Sequence, residues 1–171
     1  MLRGIPSLLS PDFLKILMEM GHGDELVLAD GNFPAASHAQ RLIRCDGHGI
    51  PEVLDAVVRL FPLDRYAERP VAFKATGPEH PRPPAVWESY RQIVRKHAGT
   101  EVGFEQVERF AFYERARNAY AVAATSELIG ADLRGSLFLT RFQVNAAKGD
   151  DRTKLPPALA RPAHWSGAAS A

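Results

Sequence analysis

The sequence predicts an α/β protein: a single domain whose largely parallel sheet is covered by helices on both faces. Short apolar runs bounded by turn residues alternate along the chain with amphipathic segments of helical period. Strands separated by helices favour a parallel sheet, because a parallel crossover needs a helix-length connection. The chain's 171 residues suit one core, since single domains usually hold about 100–200 residues.

In chain order, Ser10-Pro11-Asp12 supplies an N-cap, a proline at the first helical position and an early carboxylate for the positive end of the helix dipole. Phe13, Leu14, Ile16, Leu17, Met18 and Met20 continue with mostly helical spacing, and Gly21 stands where that helix should end. Leu26-Val27-Leu28-Ala29, closed by Asp30-Gly31, reads as a buried strand. Pro51 opens a second helix through Val53, Leu54, Ala56, Val57, Val58, Leu60 and Phe61, which Pro62 ends. Val71 to Thr76 is the next strand, followed by a proline-rich loop from Gly77 to Pro84. A third helix is expected from about Ala85 to Ala98, on a stripe of Trp87, Tyr90, Ile93 and Val94, with Gly99 beyond its end. Phe104 to Val107 reads as a short strand, Phe110 to Asn118 as a short helix, Ala119 to Thr125 as a strand and Leu137 to Thr140 as a last strand. From about Asn145 the composition turns to Ala, Pro, Lys, Arg and Asp without periodicity. Residues 1–144 are therefore expected to form the domain, and 145–171 a flexible tail.

Composition narrows the function classes. Apolar residues make up 46% of the chain and charged ones 24%, an ordinary globular balance. Twenty-one Lys plus Arg against 20 Asp plus Glu leave a formal charge of +1. That argues against a dedicated nucleic-acid binder, whose affinity comes largely from neutralising phosphates. No apolar run approaches the roughly 20 residues needed to span a bilayer, so no membrane partner is expected. The first residues lack the pattern of a signal peptide. The lone cysteine, Cys45, excludes an internal disulfide framework and any zinc cage needing two thiolates. A cytoplasmic protein is the expectation.

Ligands of open α/β sheets bind where loops leave the strands, which directs attention to Gly21-His22-Gly23-Asp24 and to Asp30. A histidine between two glycines can be approached closely, and its unperturbed pKa near 6.5 suits proton transfer at neutral pH. The same four residues also make an ordinary turn, and Asp30 before Gly31 is a common turn pair whose carboxylate caps a nearby amide. Arg109, within Glu108-Arg109-Phe110-Ala111-Phe112-Tyr113-Glu114-Arg115-Ala116, offers several donors beside aromatic rings. Equally, that stretch reads as a helix start with an aromatic core face. His38 and His48 raise a metal alternative with His22 and Asp24, but their spacing matches no common zinc pattern. Neither phosphate-binding glycine motif is present.

Taken together, Leu9-Ser10-Pro11-Asp12-Phe13-Leu14-Lys15-Ile16-Leu17, Met20-Gly21-His22-Gly23-Asp24-Glu25, and Asp30 with Phe33-Pro34-Ala35 closely resemble the L-fucose mutarotases. Arg44-Cys45-Asp46-Gly47, Pro62-Leu63-Asp64-Arg65-Tyr66 and the stretch from Arg109 to Ala116 continue the likeness over roughly residues 1–127. The last of these points to fucose mutarotases rather than to their ribose pyranase relatives. The resemblance implies a three-layer α/β/α fold, a ring-like homo-oligomer with pockets near subunit contacts, and no metal or organic cofactor. It implies interconversion of the α and β anomers of a free monosaccharide, L-fucose or a related aldose. Its catalytic histidine falls on His22, its sugar-binding aspartate on Asp30 and its sugar-binding arginine on Arg109.

The family pattern closes with a Gly-Glu pair and, a few residues on, a Tyr-(Gly/Ala)-Asn that contacts the sugar. Here Ser126-Glu127 precedes a longer stretch, and aligning the apolar strands puts Arg134 and Ser136 on the Tyr and Asn positions. Arg134 and Ser136 are thus the expected replacements in substrate binding. Exchange of Tyr for Arg changes shape and charge together. A sugar-binding or regulatory relative without turnover is the alternative that this departure leaves open.

Overall fold

Ser10 opens the first helix by accepting a hydrogen bond from the Phe13 amide at 3.1 Å, with Pro11 at its first position. The computed structural model describes residues 3–76, 83–128, 131, 133–134 and 139–165. Along them run α1 (Pro11–Glu19), β1 (Leu26–Ala29), α2 (Ala35–His38), β2 (Leu42–Cys45), α3 (Ile50–Leu60) and β3 (Val71–Lys74). They are followed by α4 (Val86–Ala98), β4 (Phe104–Val107), α5 (Arg109–Asn118), β5 (Ala121–Thr125) and α6 (Arg141–Ala146).

Both sheets are parallel. One has the order β1-β5-β2, with Leu26 opposite Ala121 and Leu42 opposite Val122, and the other pairs β3 with β4. Strand β5 is buried at all five positions, and its Ala-Val-Ala-Ala run lets helices approach on either side. On one face Phe13 and Leu17 of α1 and Val53, Ala56 and Val57 of α3 pack on Ile43, Cys45, Ala121 and Ala123. On the other, Ala35 of α2 joins Phe33, Ala29, Val122 and Ala124. Phe73 of β3 stacks on Trp87 of α4 at 4.8 Å between ring centroids, so the second sheet has its own aromatic core. The result is three layers, α/β/α, as expected, but with the parallel strands divided between two sheets rather than joined in one.

Elements α2, β2 and α6 went unanticipated. Strand β2 is short and alternates exposed and buried residues, and α2 is a single turn. Of the strand expected at Leu137–Thr140, residues 137 and 138 lie outside the described residues, and Thr140 instead caps α6 through Gln143. The proline-rich loop falls mostly on 77–82, also outside them.

The segment after Asn145 differs from a flexible tail as far as Trp165. Val144, Thr153 and Trp165 are almost completely buried, and the Trp165 indole donates to the Ala147 carbonyl at 2.8 Å. The Leu128 amide donates to the Lys148 carbonyl at 2.6 Å, and the Lys148 amide to the Ser126 carbonyl at 2.7 Å, which ties this segment to the exit of β5. Burial here comes from turns and single anchor residues, which leave no periodic trace in sequence. Among the described residues, no helix is long and apolar enough to cross a membrane.

Candidate active site

A cavity of about 1260 Å³ lies between the two sheets, lined by the whole of β1 and β3 and walled by α3, α4 and α5. Arg115 of α5 clamps its flank. The guanidinium binds Glu25, just before β1, through Nε at 2.7 Å, and Glu105 of β4 through a second nitrogen at 2.5 Å, so one side chain joins both sheets. Hydrogen bonding to Glu25 first, and then to Glu105, raises the Arg115 pKa against the cost of desolvation.

His22 sits at the amino end of β1, in the loop after α1. Gly23 takes φ +84°, a conformation other residues rarely adopt, and this turns the loop. The Gly21 amide donates to Asp24 at 2.8 Å and steadies it. His22 Nδ1 lies 3.3 Å from the Asp64 carboxylate, and the ring meets Tyr66 edge-on at 5.4 Å. A carboxylate on Nδ1 orients the imidazole and leaves Nε2 for a ligand. The His22 side chain is 78% exposed, so that nitrogen is accessible. Hydrogen bonding from the Tyr66 amide, with His22 and the Gly23 amide helping, holds the Asp64 carboxyl below the usual carboxylate range.

Asp30 sits at the opposite, carboxyl end of β1. Its Oδ1 accepts from the amides of Asn32 and Phe33, both at 2.9 Å, so the side chain does build the turn that its Asp-Gly pair suggests. Arg109 opens α5 and donates to the Tyr113 hydroxyl at 3.4 Å, its guanidinium 5.7 Å from that ring. Phe33 bridges the two: it meets Tyr113 edge-on at 5.5 Å and Phe112 at 6.2 Å. Asp30, Phe33, Arg109 and Phe112 all line the cavity. His22 lines it too, from the other end of β1, whose four residues rise about 13 Å along the strand.

Between these ends the cavity wall holds a buried carboxyl. Glu127, 4% exposed, accepts from the Tyr90 hydroxyl at 2.9 Å and from the Ile50 amide, the first residue of α3, at 2.7 Å. Burial pushes its pKa up, against the pull of both hydrogen bonds, and Asp30 adds to the rise. Sequence spacing gives no hint of this triangle, because its members come from three distant elements. Asp64 was equally invisible as the partner of His22, although it stands within the Pro62-Leu63-Asp64-Arg65-Tyr66 match.

The remaining candidates disperse. His38 bonds the Pro34 carbonyl, and His48 pairs with Glu52. Among the described residues, no group of three or more His, Cys, Asp or Glu is placed to hold a metal. Burial pushes the Cys45 thiol up to about 11, which leaves it unreactive at neutral pH. Arg134 is exposed beyond Leu133 and outside the cavity lining, and Ser136 lies outside the described residues.

Hydrogen-bonding groups of both signs beside aromatic faces suit a small, neutral, hydroxyl-rich ligand, and they define the class as an α/β small-molecule-binding protein. The chain belongs to the RbsD / FucU transport protein family, whose model matches residues 3–129. It is 48% identical over 128 residues to an "L-fucose mutarotase" of Actinobacillus pleuropneumoniae, covering 75% of this chain and 89% of that one. It is 48% identical over 146 residues to the "Fucose mutarotase" of Homo sapiens, covering 82% and 92%. Among solved structures, the fucose mutarotase of Streptococcus pneumoniae in complex with L-fucose superposes with a TM-score of 0.67 at 47% identity, covering 72% of this chain and 88% of that one.

Proposed function

We propose that this chain is a mutarotase that interconverts the α and β anomers of a free monosaccharide, with L-fucose as its foremost substrate. The observation that carries the reading is His22, held through Nδ1 by Asp64 at the mouth of a cavity, in a chain 48% identical to relatives named for this activity. Opening a hemiacetal takes one proton from the anomeric hydroxyl and gives one to the ring oxygen. His22 Nε2 gives the proton to the ring oxygen, a water takes the one from the anomeric hydroxyl, and reclosure reverses both transfers. Rotation about C1–C2 and reclosure then give the other anomer, with no covalent intermediate. Asp30 accepts hydrogen bonds from sugar hydroxyls and Arg109 donates them. Arg134 and Ser136 take the places where the family pattern has Tyr and Asn. A neutral sugar suits the chain's balanced charge.

The separation of His22 from Asp30 and Arg109 along β1 supports a site completed by a second copy of the chain. In a ring-like homo-oligomer, His22 and Asp64 of one subunit face Asp30 and Arg109 of the next, and the Gly21–Asp24 loop reaches across the contact.

The test is anomer exchange by NMR saturation transfer, with L-fucose, D-ribose and D-galactose at catalytic protein concentration. Faster exchange of L-fucose than in buffer is the expected result. Sugar binding without acceleration of any of them would replace this reading with that of a non-catalytic binding protein.

A further inference from the structure

The turn that fixes Asp30 also fixes an aromatic wall. The Phe33 amide is one of the two donors to Asp30 Oδ1, so the Phe33 ring and the carboxylate keep a set relation. The Phe33 ring is held edge-on by Phe112 at 86° and by Tyr113 at 70°, with His38 completing the cluster at 5.7 Å. Behind it, Ala35 is buried at 6% exposure. Phe33 and Phe112 face the cavity with carbon only, while Asp30, Arg109 and Lys74 beside them present charge. A ligand that matches this lining carries hydroxyls on one edge and an apolar group on the other.

We propose that Phe33 and Phe112 form the subsite for the methyl group of a 6-deoxyhexose, and so set the preference among sugars that share the same ring hydroxyls. This rests on the mutarotase reading. A hydroxyl added at C6 loses its water against two aromatic faces that offer it no strong acceptor. Removing C6 altogether leaves a gap where dispersion contacts should be. The two changes bracket the subsite from opposite directions.

Three sugars make the test: L-fucose, L-galactose, which adds the C6 hydroxyl, and D-arabinose, which keeps the ring hydroxyls without C6. Their kcat/KM values for anomer exchange are compared in the wild type, Phe33→Ala and Phe112→Ala. The wild type should prefer L-fucose over each of the others by about tenfold or more, the usual worth of one methyl-sized contact. In the variants that ratio should fall towards one, through KM more than kcat. Substituting the Phe33 side chain leaves the hydrogen bond from its backbone amide to Asp30 in place. Should Phe33→Ala fail to assemble, Phe33→Leu gives the intermediate ratio expected of a smaller apolar surface. A ratio unmoved in the variants, or equal wild-type rates for all three sugars, overturns the inference alone. No acceleration of any sugar by the wild type overturns the mutarotase reading along with it.

Discussion

Replacing Glu127 by alanine removes the acceptor that holds three elements together at the cavity wall. The Tyr90 hydroxyl on α4 and the Ile50 amide at the start of α3 both lose their partner. An orphaned buried donor costs about 1–3 kcal/mol, and the Ile50 amide, only partly buried, falls at the low end. The loss is partly offset because the wild type carries the cost of burying the carboxylate, which is why the Glu127 pKa is raised. At neutral pH the net destabilisation should be about 2–4 kcal/mol. Urea unfolding followed by circular dichroism, at one fixed protein concentration so that assembly does not intrude, measures it. A double-mutant cycle with Tyr90→Phe should give a coupling of at least about 1 kcal/mol. The sign of the pH dependence is also set. Folding raises the Glu127 pKa above its ordinary 4.5. The proton-linked stability is therefore complete below that value and lost as pH rises through the raised one. Glu127→Gln does not titrate, so the wild type's advantage over it should shrink as pH rises across that window. A loss below about 0.5 kcal/mol with no coupling to Tyr90 would refute the reasoning.

Other consequences are as direct. If the site is shared between copies, His22→Ala and Asp30→Asn are each inactive in exchange assays. Refolded together as a mixture they should regain about a quarter of wild-type activity, because that share of the contacts pairs two intact halves; no recovery would sink the shared site. Gly103→Ala puts a Cβ 2.4 Å from the Glu68 carbonyl oxygen and should cost about 2–3 kcal/mol in urea unfolding. Trp165→Ala removes the anchor of the C-terminal segment, and should cost about 3 kcal/mol and open residues 147–165 to protease. Cleavage no faster than in the wild type would show that the segment is held without that ring.

Much of the α/β frame was legible because local and global signals agree there. Ser10 and Pro11 begin α1 where their chemistry says a helix begins, and Ala121–Thr125 is buried on both faces as its apolar run requires. Strand β2 was not legible, because Leu42 and Arg44 face outward and four residues are too few for alternation to register. The packing after Asn145 depends on Trp165 lying over Gly149, where a Cβ would come within 2.6 Å of the indole. No spacing rule reports such a contact. At the site, the flanking glycines mark His22, but its partner Asp64 lies beyond α3 and is brought to it only by the fold. Asp30 makes the turn that its Asp-Gly pair suggests, through Oδ1, and lines the cavity as well.

The claim that organises all of this is proton transfer to a sugar ring by His22. The most direct measurement is saturation transfer between the anomers of L-fucose with the wild type and with His22→Ala, both checked for the same assembled size. The account predicts exchange well above buffer for the wild type, and exchange at the buffer rate for His22→Ala. A wild type that leaves exchange unchanged, or a His22→Ala protein as fast as the wild type, would contradict it.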